Sequence, residues 1–216
     1  SDAYWRNPIK WNAQAEREGR RHRVFCASMA DVFEDRPELD EIRWRLFHLI
    51  GDTPWLDWQL LTKRPENVMR MVGYGDTAST WPRNVWVGTT VEDQEHADER
   101  IPHLLNVPAH VRFLSCEPLL GMIDLRPWLR RISDEAAAAS EFDWDISRRI
   151  GWVIVGGESG PGHRVLDRNA AREIRDECLH WDVPFFFKQI GGRTPTAGGH
   201  LLDGEEWHQF PEPVHA

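Results

Sequence analysis

Acidic and basic residues recur directly after short apolar runs of this sequence. Lys63 and Arg64 follow one run, Glu117 follows another, and Glu158 lies in a Gly-Gly-Glu-Ser-Gly loop after a third. A carboxylate in this setting suits general-base catalysis or the orientation of a ligand, whereas Lys and Arg suit an anionic group. The candidate catalytic residues are therefore Glu117, Lys63 and Lys188.

A second set of polar residues at the same kind of position suits binding. Backbone N–H groups of a glycine-rich loop can approach a phosphate or a carboxylate closely. The residues predicted to contact such a group are Gly156, Gly157, Glu158, Ser159 and Ser115. The predicted substrate contacts are Arg64, Asp31, Ser28, Thr89, Glu92 and Gln189.

Several of these residues also have a structural interpretation. The glycine-rich loop lacks the Lys of a P-loop and the spacing of a dinucleotide-binding fingerprint. For Lys63 and Arg64, the alternative is a salt bridge to a neighbouring strand-end acid. For Glu117 it is a buried ion pair with Lys63 or Lys188, and for Asp31 it is a helix cap. The residues alone leave these alternatives open.

No metal-binding pattern accompanies the candidate residues. The three cysteines, Cys26, Cys116 and Cys178, are far apart, and the sequence contains neither Cys-x-x-Cys nor His-Glu-x-x-His. Neither a zinc site nor a disulfide framework is predicted. A free cysteine is more often a small core residue than a nucleophile. We therefore predict no metal site formed by this chain.

The elements that must position these residues have the composition of buried strands. Several lack alternation between apolar and polar residues, which is typical of parallel strands covered on both faces. Six runs of strand length are rich in Val, Ile, Leu, Phe and Trp: 24–28, 58–62, 85–89, 111–115, 152–156 and 185–188. Helical stripes lie between runs, with Asp93 and Asn169 as predicted N-caps.

Alternating strands and helices predict an α/β fold, a partial (β/α) barrel with a mainly parallel sheet of about six strands. Right-handed crossovers bring the carboxyl ends of all strands to one side, so the polar residues should converge on one cavity. We predict a repeat domain over residues 1–192, with an inserted helix or loop at 131–149. Residues 193–216 form an appendage with a small hairpin about Asp203-Gly204.

Composition restricts the class of protein further. The net charge of −9 at pH 7 argues against nucleic-acid binding over a broad basic surface, although it is compatible with a local basic patch. The apolar runs are too short to span a membrane. The N-terminal residues lack the pattern of a signal peptide, and the cysteine usage fits a reducing compartment, so a cytoplasmic location is expected.

In order along the chain, the strand-end segments resemble the phage- and prophage-associated three-Cys-motif family of unknown function. Members of that family usually carry an additional N-terminal cysteine segment, similar to the iron–sulfur motif of radical S-adenosylmethionine enzymes, which use partial (β/α) barrels. The resemblance implies a cavity for cofactor and substrate at the strand ends. It makes Ser115, Glu117 and the loop Gly156–Gly160 the expected contacts of the cofactor. The similar segments are Arg23–Phe33, Leu60–Pro65, Asn84–Glu92, Phe113–Gly121, Trp152–Gly160 and Phe185–Gly192.

The cysteine segment is not part of this sequence, so more than one functional hypothesis follows. In the first hypothesis, the chain is the C-terminal part of a radical-S-adenosylmethionine-like enzyme that acts on a nucleic-acid or nucleotide-type substrate. Its cofactors are then S-adenosylmethionine and a [4Fe–4S] cluster, and they are expected only if an upstream cysteine segment exists. Alternatively, it is a cluster-free module that binds a phosphate-bearing ligand or a protein partner.

A hydrolase that uses Glu117 or Glu158 with a strand-end lysine is a third hypothesis, but it lacks a nucleophile–base motif. A barrel without its first βα unit would also expose a strand edge. We expect residues 1–20, the C-terminal tail or another chain to cover that edge.

Overall fold

The computed structural model describes residues 2–26, 30–72, 81–130, 149–194 and 196–212. Six strands in these ranges form one parallel sheet, ordered as in the sequence and curved into a half-barrel. This confirms the predicted α/β partial barrel. The strands are β1 (His22–Cys26), β2 (Leu56–Thr62), β3 (Val85–Thr90), β4 (Arg112–Cys116), β5 (Trp152–Gly156) and β6 (Phe185–Gln189).

Helices connect the strands and cover the outer, convex face of the sheet. They are α1 (Asp2–Trp5), α2 (Asn7–Glu18), α3 (Asp40–Gly51), α4 (Val68–Val72), α5 (Gln94–Leu105), α6 (Arg126–Leu129) and α7 (Arg168–His180). Two short 3-10 helices, Pro37–Leu39 and Pro65–Asn67, lie in the turns after β1 and β2. In the described ranges, no helix combines the length and the apolar character needed to cross a membrane.

The two faces of the sheet bury separate apolar clusters. Side chains such as Leu60 and Val87 pack outward against the helices. The inner, concave face carries a second cluster that includes Trp86, Phe113 and Trp152. β3, β4 and β5 are buried along their whole length. This is why their sequences show no alternation of apolar and polar residues.

Capping residues set the start of the two longest connecting helices after β3. The Asp93 side chain accepts a hydrogen bond from the His96 backbone N–H at 3.0 Å, as predicted. The prediction of Asn169 as a cap is wrong, because Asp167 caps α7 by accepting the Asn169 backbone N–H at 2.8 Å. Two residues of capping type stand two positions apart here, and the first one begins the helix.

The C-terminal segment covers one edge of the sheet. It runs antiparallel to β6: the Phe187 N–H donates to the Trp207 carbonyl at 2.7 Å, and the Gln209 N–H donates to the Phe185 carbonyl at 3.1 Å. At the other edge, α2 packs against β1 and β2. The small hairpin about Asp203-Gly204 is confirmed. Except for Arg149, the predicted insertion at 131–149 lies outside the described residues.

Candidate functional site

The carboxyl-terminal edge of the sheet, called the rim below, gathers most of the predicted site residues. Three pairs of an acid and a base lie there, each joining different strand ends. The pairs are Asp31 with Arg64, Glu92 with Lys63, and Glu117 with Lys188. In each pair the acid is more buried than the base. The convergence of these side chains agrees with the topology of a parallel half-barrel.

Asp31 is the centre of the first group. Its carboxylate accepts hydrogen bonds from the Thr62 hydroxyl at 2.7 Å, the Phe33 N–H at 2.9 Å and the Lys63 N–H at 3.0 Å. Arg64 Nη1 donates to it at 3.1 Å. The helix-cap alternative for Asp31 is wrong, because no helix begins within the described loop 30–36. Asp31 instead fixes the turn after β2, which carries Lys63 and Arg64.

Glu92 holds Lys63 in the second group. Its Oε1 lies 2.6 Å from Lys63 Nζ, and its Oε2 accepts from Arg100 Nη1 at 2.9 Å. Burial acts to raise the pKa of Glu92, but the hydrogen bond and charge of Lys63, together with Arg100, hold that pKa below its usual value. The Lys63 side chain is 56% exposed. An ammonium group has three donors, so Lys63 keeps donors for a ligand.

Glu117 has the same relation to Lys188 in the third group. Its Oε1 lies 3.1 Å from Lys188 Nζ, and the Ser115 hydroxyl donates to its Oε2 at 3.1 Å. The carboxylate rests against Gly156 on β5, where an added Cβ would lie only 2.6 Å from Oε1. The Lys188 side chain is 55% exposed. Of the alternatives for Glu117, the ion pair with Lys188 is present.

Glu158 takes a different partner from the one expected of a rim acid. Its carboxylate binds Arg164 in a bidentate pair, with Nε to Oε2 at 2.8 Å and Nη2 to Oε1 at 2.9 Å. The Arg164 N–H also donates to Oε2 at 2.8 Å. These hydrogen bonds lower the pKa of Glu158 to about 2. Glu158 is therefore an anion held by Arg164.

The glycine-rich loop after β5 pairs with the loop after β6. The Gly157 N–H donates to the Gln189 carbonyl, the Gly160 N–H donates to the Gly192 carbonyl, and the Gly192 N–H donates to the Glu158 carbonyl, each at 2.9 Å. Gln189 Nε2 also donates to Ser159 Oγ at 2.9 Å. Contact between the two loops accounts for much of the glycine content of the loop after β5. That this loop binds a cofactor stays a prediction.

One predicted substrate contact stands apart from the open rim. Thr89 is fully buried, and its hydroxyl donates to the Thr62 carbonyl at 2.9 Å, so it ties β3 to β2. Ser28 lies outside the described residues.

Sequence reasoning missed Arg100 and Arg164, which hold the two rim acids Glu92 and Glu158. Both follow their acids by six to eight residues, and no periodic pattern marks them. One further signal was available for the lysines. Among 26 basic residues only three are lysines, Lys10, Lys63 and Lys188, and two of these three lie at the rim.

The cysteines do not fit an iron–sulfur cluster. Cys116 and Cys178 are buried in the cluster under the helices, and burial raises the pKa of both thiols. Burial also raises the pKa of Cys26 to about 11. The thiolate is the form that binds metal, and burial disfavours that form at all three cysteines. Within the described ranges no group of three or more His, Cys, Asp or Glu has the arrangement of a metal site.

Fold and rim together define a (β/α) half-barrel protein whose polar side chains meet at the carboxyl ends of its strands. The chain belongs to the family described as "Protein of unknown function (DUF5131)", whose family model matches residues 1–211. Neither a curated protein nor a solved structure matches the chain significantly.

Proposed function

We propose that the rim binds a small anionic ligand of the nucleotide type, with Lys63 and Lys188 as contacts to its phosphate or carboxylate. One observation carries the proposal: two lysines that are 56% and 55% exposed are each held by a more buried carboxylate. A carboxylate that uses one donor of an ammonium group fixes its position and leaves further donors for a ligand. Such preorganisation reduces the entropy lost on binding.

The local charge supports an anionic ligand. The chain carries a net charge of −9, yet the rim groups include more bases than acids. A phosphate therefore meets a region of nearly balanced charge on an acidic protein, which favours this site over the more acidic remainder of the surface. The acids are Asp31, Glu92, Glu117 and Glu158, and the bases are Lys63, Arg64, Arg100, Arg164 and Lys188.

The half-barrel itself favours a second candidate, a relationship to radical S-adenosylmethionine enzymes. Six parallel strands in sequential order agree with the partial barrel of that class. S-adenosylmethionine contains a nucleoside and a carboxylate, so it has the ligand chemistry proposed for the rim. A nucleic-acid or nucleotide-type substrate, as the phage resemblance implies, belongs to this candidate. The cysteines of this chain do not fit the cluster, and we derive no step through it.

Calorimetric titration tests both candidates. ADP, S-adenosylmethionine and inorganic phosphate are titrated into the wild type and into Lys63→Ala and Lys188→Ala. We expect each substitution to weaken the preferred ligand by about 10- to 100-fold, the cost of a hydrogen bond to a charged group. Lys10→Ala on α2 is the matched control and leaves the affinity unchanged.

The ligand that binds most tightly separates the candidates. Preference for S-adenosylmethionine over ADP supports the radical-enzyme relationship, as does an upstream reading frame with a cysteine cluster. Preference for ADP supports the cluster-free binding module. Equal affinities of the wild type and both rim variants, or no heat with any ligand at millimolar concentration, overturn the proposed function.

A further inference from the structure

Two neighbouring side chains on the inner face carry buried donors without an acceptor. Gln59 on β2 and Trp86 on β3 lie side by side in register, and they are only 5% and 1% exposed. Gln59 Nε2 and Trp86 Nε1 are both buried, and neither makes a hydrogen bond. Buried donors of this kind are rare in native proteins because each costs its full desolvation free energy. Two adjacent ones indicate that an external acceptor belongs here.

The surroundings of the two donors are aromatic, and protein atoms cover both donor nitrogens. Trp152 meets Trp86 edge to face, with ring centroids 6.0 Å apart. Phe25 on β1 is the register neighbour of Gln59 and is 45% exposed. A planar ligand that reaches the amide of Gln59 from the rim therefore also meets an aromatic surface. Aromatic side chains of this kind stack on nucleobases.

The ionic groups nearest the two donors are Asp57 and the cations Arg21 and Arg23. Asp57 lies two residues before Gln59 on the same face, and its carboxylate is already paired with Arg21 at 2.7 Å. Gln59 and Trp86 are neutral donors. A glutamine amide offers a donor and an acceptor in one plane, which matches the edge of a base. The arrangement thus suits a neutral heterocycle with a carbonyl oxygen or a ring nitrogen.

We infer that Gln59 and Trp86 bind the nucleobase of the ligand whose anionic group lies at the rim. The inference rests on the proposed function and names the part of the ligand that gives it specificity. Gln59 and Lys63 are four residues apart along one chain segment, a span of about 13 Å at the rise of a β-strand. A nucleotide has the length to reach from the inner face to the rim, whereas a free phosphate does not.

Substitutions that keep size and remove the donor test the inference. Gln59→Leu and Trp86→Phe are titrated with ADP and with pyrophosphate, which lacks the base. We expect ADP binding to weaken about 3- to 10-fold for each, the cost of one neutral hydrogen bond, with pyrophosphate binding unchanged. Trp181→Phe is the matched control, because Trp181 Nε1 is also buried without a partner but lies after α7 in the outer cluster.

A stability measurement separates binding from a structural role. Since Gln59→Leu removes an unpaired buried donor, the melting temperature of the ligand-free variant should equal or exceed that of the wild type. A lower melting temperature, with ADP and pyrophosphate weakened alike, indicates a structural role and overturns the inference. So does unchanged ADP binding in both variants: the donors then bind only buried water.

The failure of this inference is distinguishable from the failure of the proposed function. If ADP binding responds to Lys63→Ala but not to Gln59→Leu or Trp86→Phe, the base subsite is wrong and the rim proposal stands. If adenosine binds and responds to Gln59→Leu while neither lysine variant changes the affinity for ADP, the rim proposal is wrong and the base subsite stands.

Discussion

Gly157 offers a direct test of how the loops after β5 and β6 are held together. Its N–H donates to the Gln189 carbonyl at 2.9 Å. A Cβ added at Gly157 would lie 1.9 Å from the Ile190 carbonyl oxygen and 2.7 Å from its carbon, whereas real Cβ contacts are essentially never under 3.0 Å. Gly157→Ala therefore forces two backbone segments apart by roughly 1 Å.

The expected loss of stability has two parts. Separation of the segments breaks or weakens the hydrogen bond between Gly157 and Gln189, at about 0.5–1.5 kcal/mol. Overpacking of a buried position adds about 1–3 kcal/mol, and the contacting atoms are backbone, which cannot rotate away as a side chain can. We expect Gly157→Ala to reduce the free energy of unfolding by about 2–4 kcal/mol.

Urea denaturation monitored by tryptophan fluorescence measures this loss. Gly51→Ala is the matched control, because Gly51 is the last residue of α3 and an added Cβ there meets no atom within 4 Å. We expect the control to be stabilised by no more than about 1 kcal/mol. If Gly157→Ala lies within about 0.5 kcal/mol of the wild type, the loops adapt freely and their contact is not the reason for glycine.

Three further predictions concern ionisable groups. We expect Glu92→Gln to be less stable than the wild type at pH 7. Since the pKa of Glu92 is lowered in the folded protein, the difference in free energy of unfolding between the two proteins shrinks as the pH falls below about 4.3. Urea titrations at pH 7 and pH 3 measure this difference. Arg164→Ala raises the pKa of Glu158 from about 2 toward 4.5 in a carboxyl NMR titration, and a value that stays near 2 contradicts the assigned cause. Because burial raises their thiol pKa values, Cys116 and Cys178 should react with maleimide only after unfolding, and labelling of the native protein contradicts this.

Local composition is sufficient to predict the bounds of β3 to β6 but not the starts of β1 and β2. β3 to β6 lie within one residue of the predicted runs, because burial on both faces demands continuous apolar sequence. β2 begins two residues before its predicted run, at Leu56. β1 also begins two residues early and includes His22 and Arg23. As an edge strand it alternates between half-buried and exposed side chains, so polar residues belong to it.

Topology predicts that the rim residues converge, but it does not predict their partners. Lys63 had several acids within reach of its strand end, and the choice of Glu92 depends on side-chain direction and on Arg100, which comes from a helix. Glu158 pairs with Arg164 in its own loop and makes no rim pair with a lysine in the described residues. Such pairs depend on loop conformation, which the periodicity of the sequence does not predict.

The two unpaired donors on the inner face could not be predicted from the sequence for a different reason. Gln59 and Trp86 lie in the middle of strands, within runs whose composition is that of a core. A single polar residue in such a run is compatible with either face of the sheet. Only the register of β2 against β3 shows that the two side chains are neighbours and that both lack an acceptor.

The C-terminal segment covers the amino-terminal end of the inner face. The Phe210 ring lies 3.5 Å from the Arg23 guanidinium on β1, and its centroid is 5.2 Å from those of Trp152 on β5 and Phe186 on β6. These contacts occupy the amino-terminal end of the half-barrel, between its first and last strands. The opposite end is the rim with its half-exposed lysines. In the proposed binding mode, the nucleotide enters at the rim and places its base toward Gln59 while its anionic group stays with the lysines, so one orientation satisfies both parts of the proposed site.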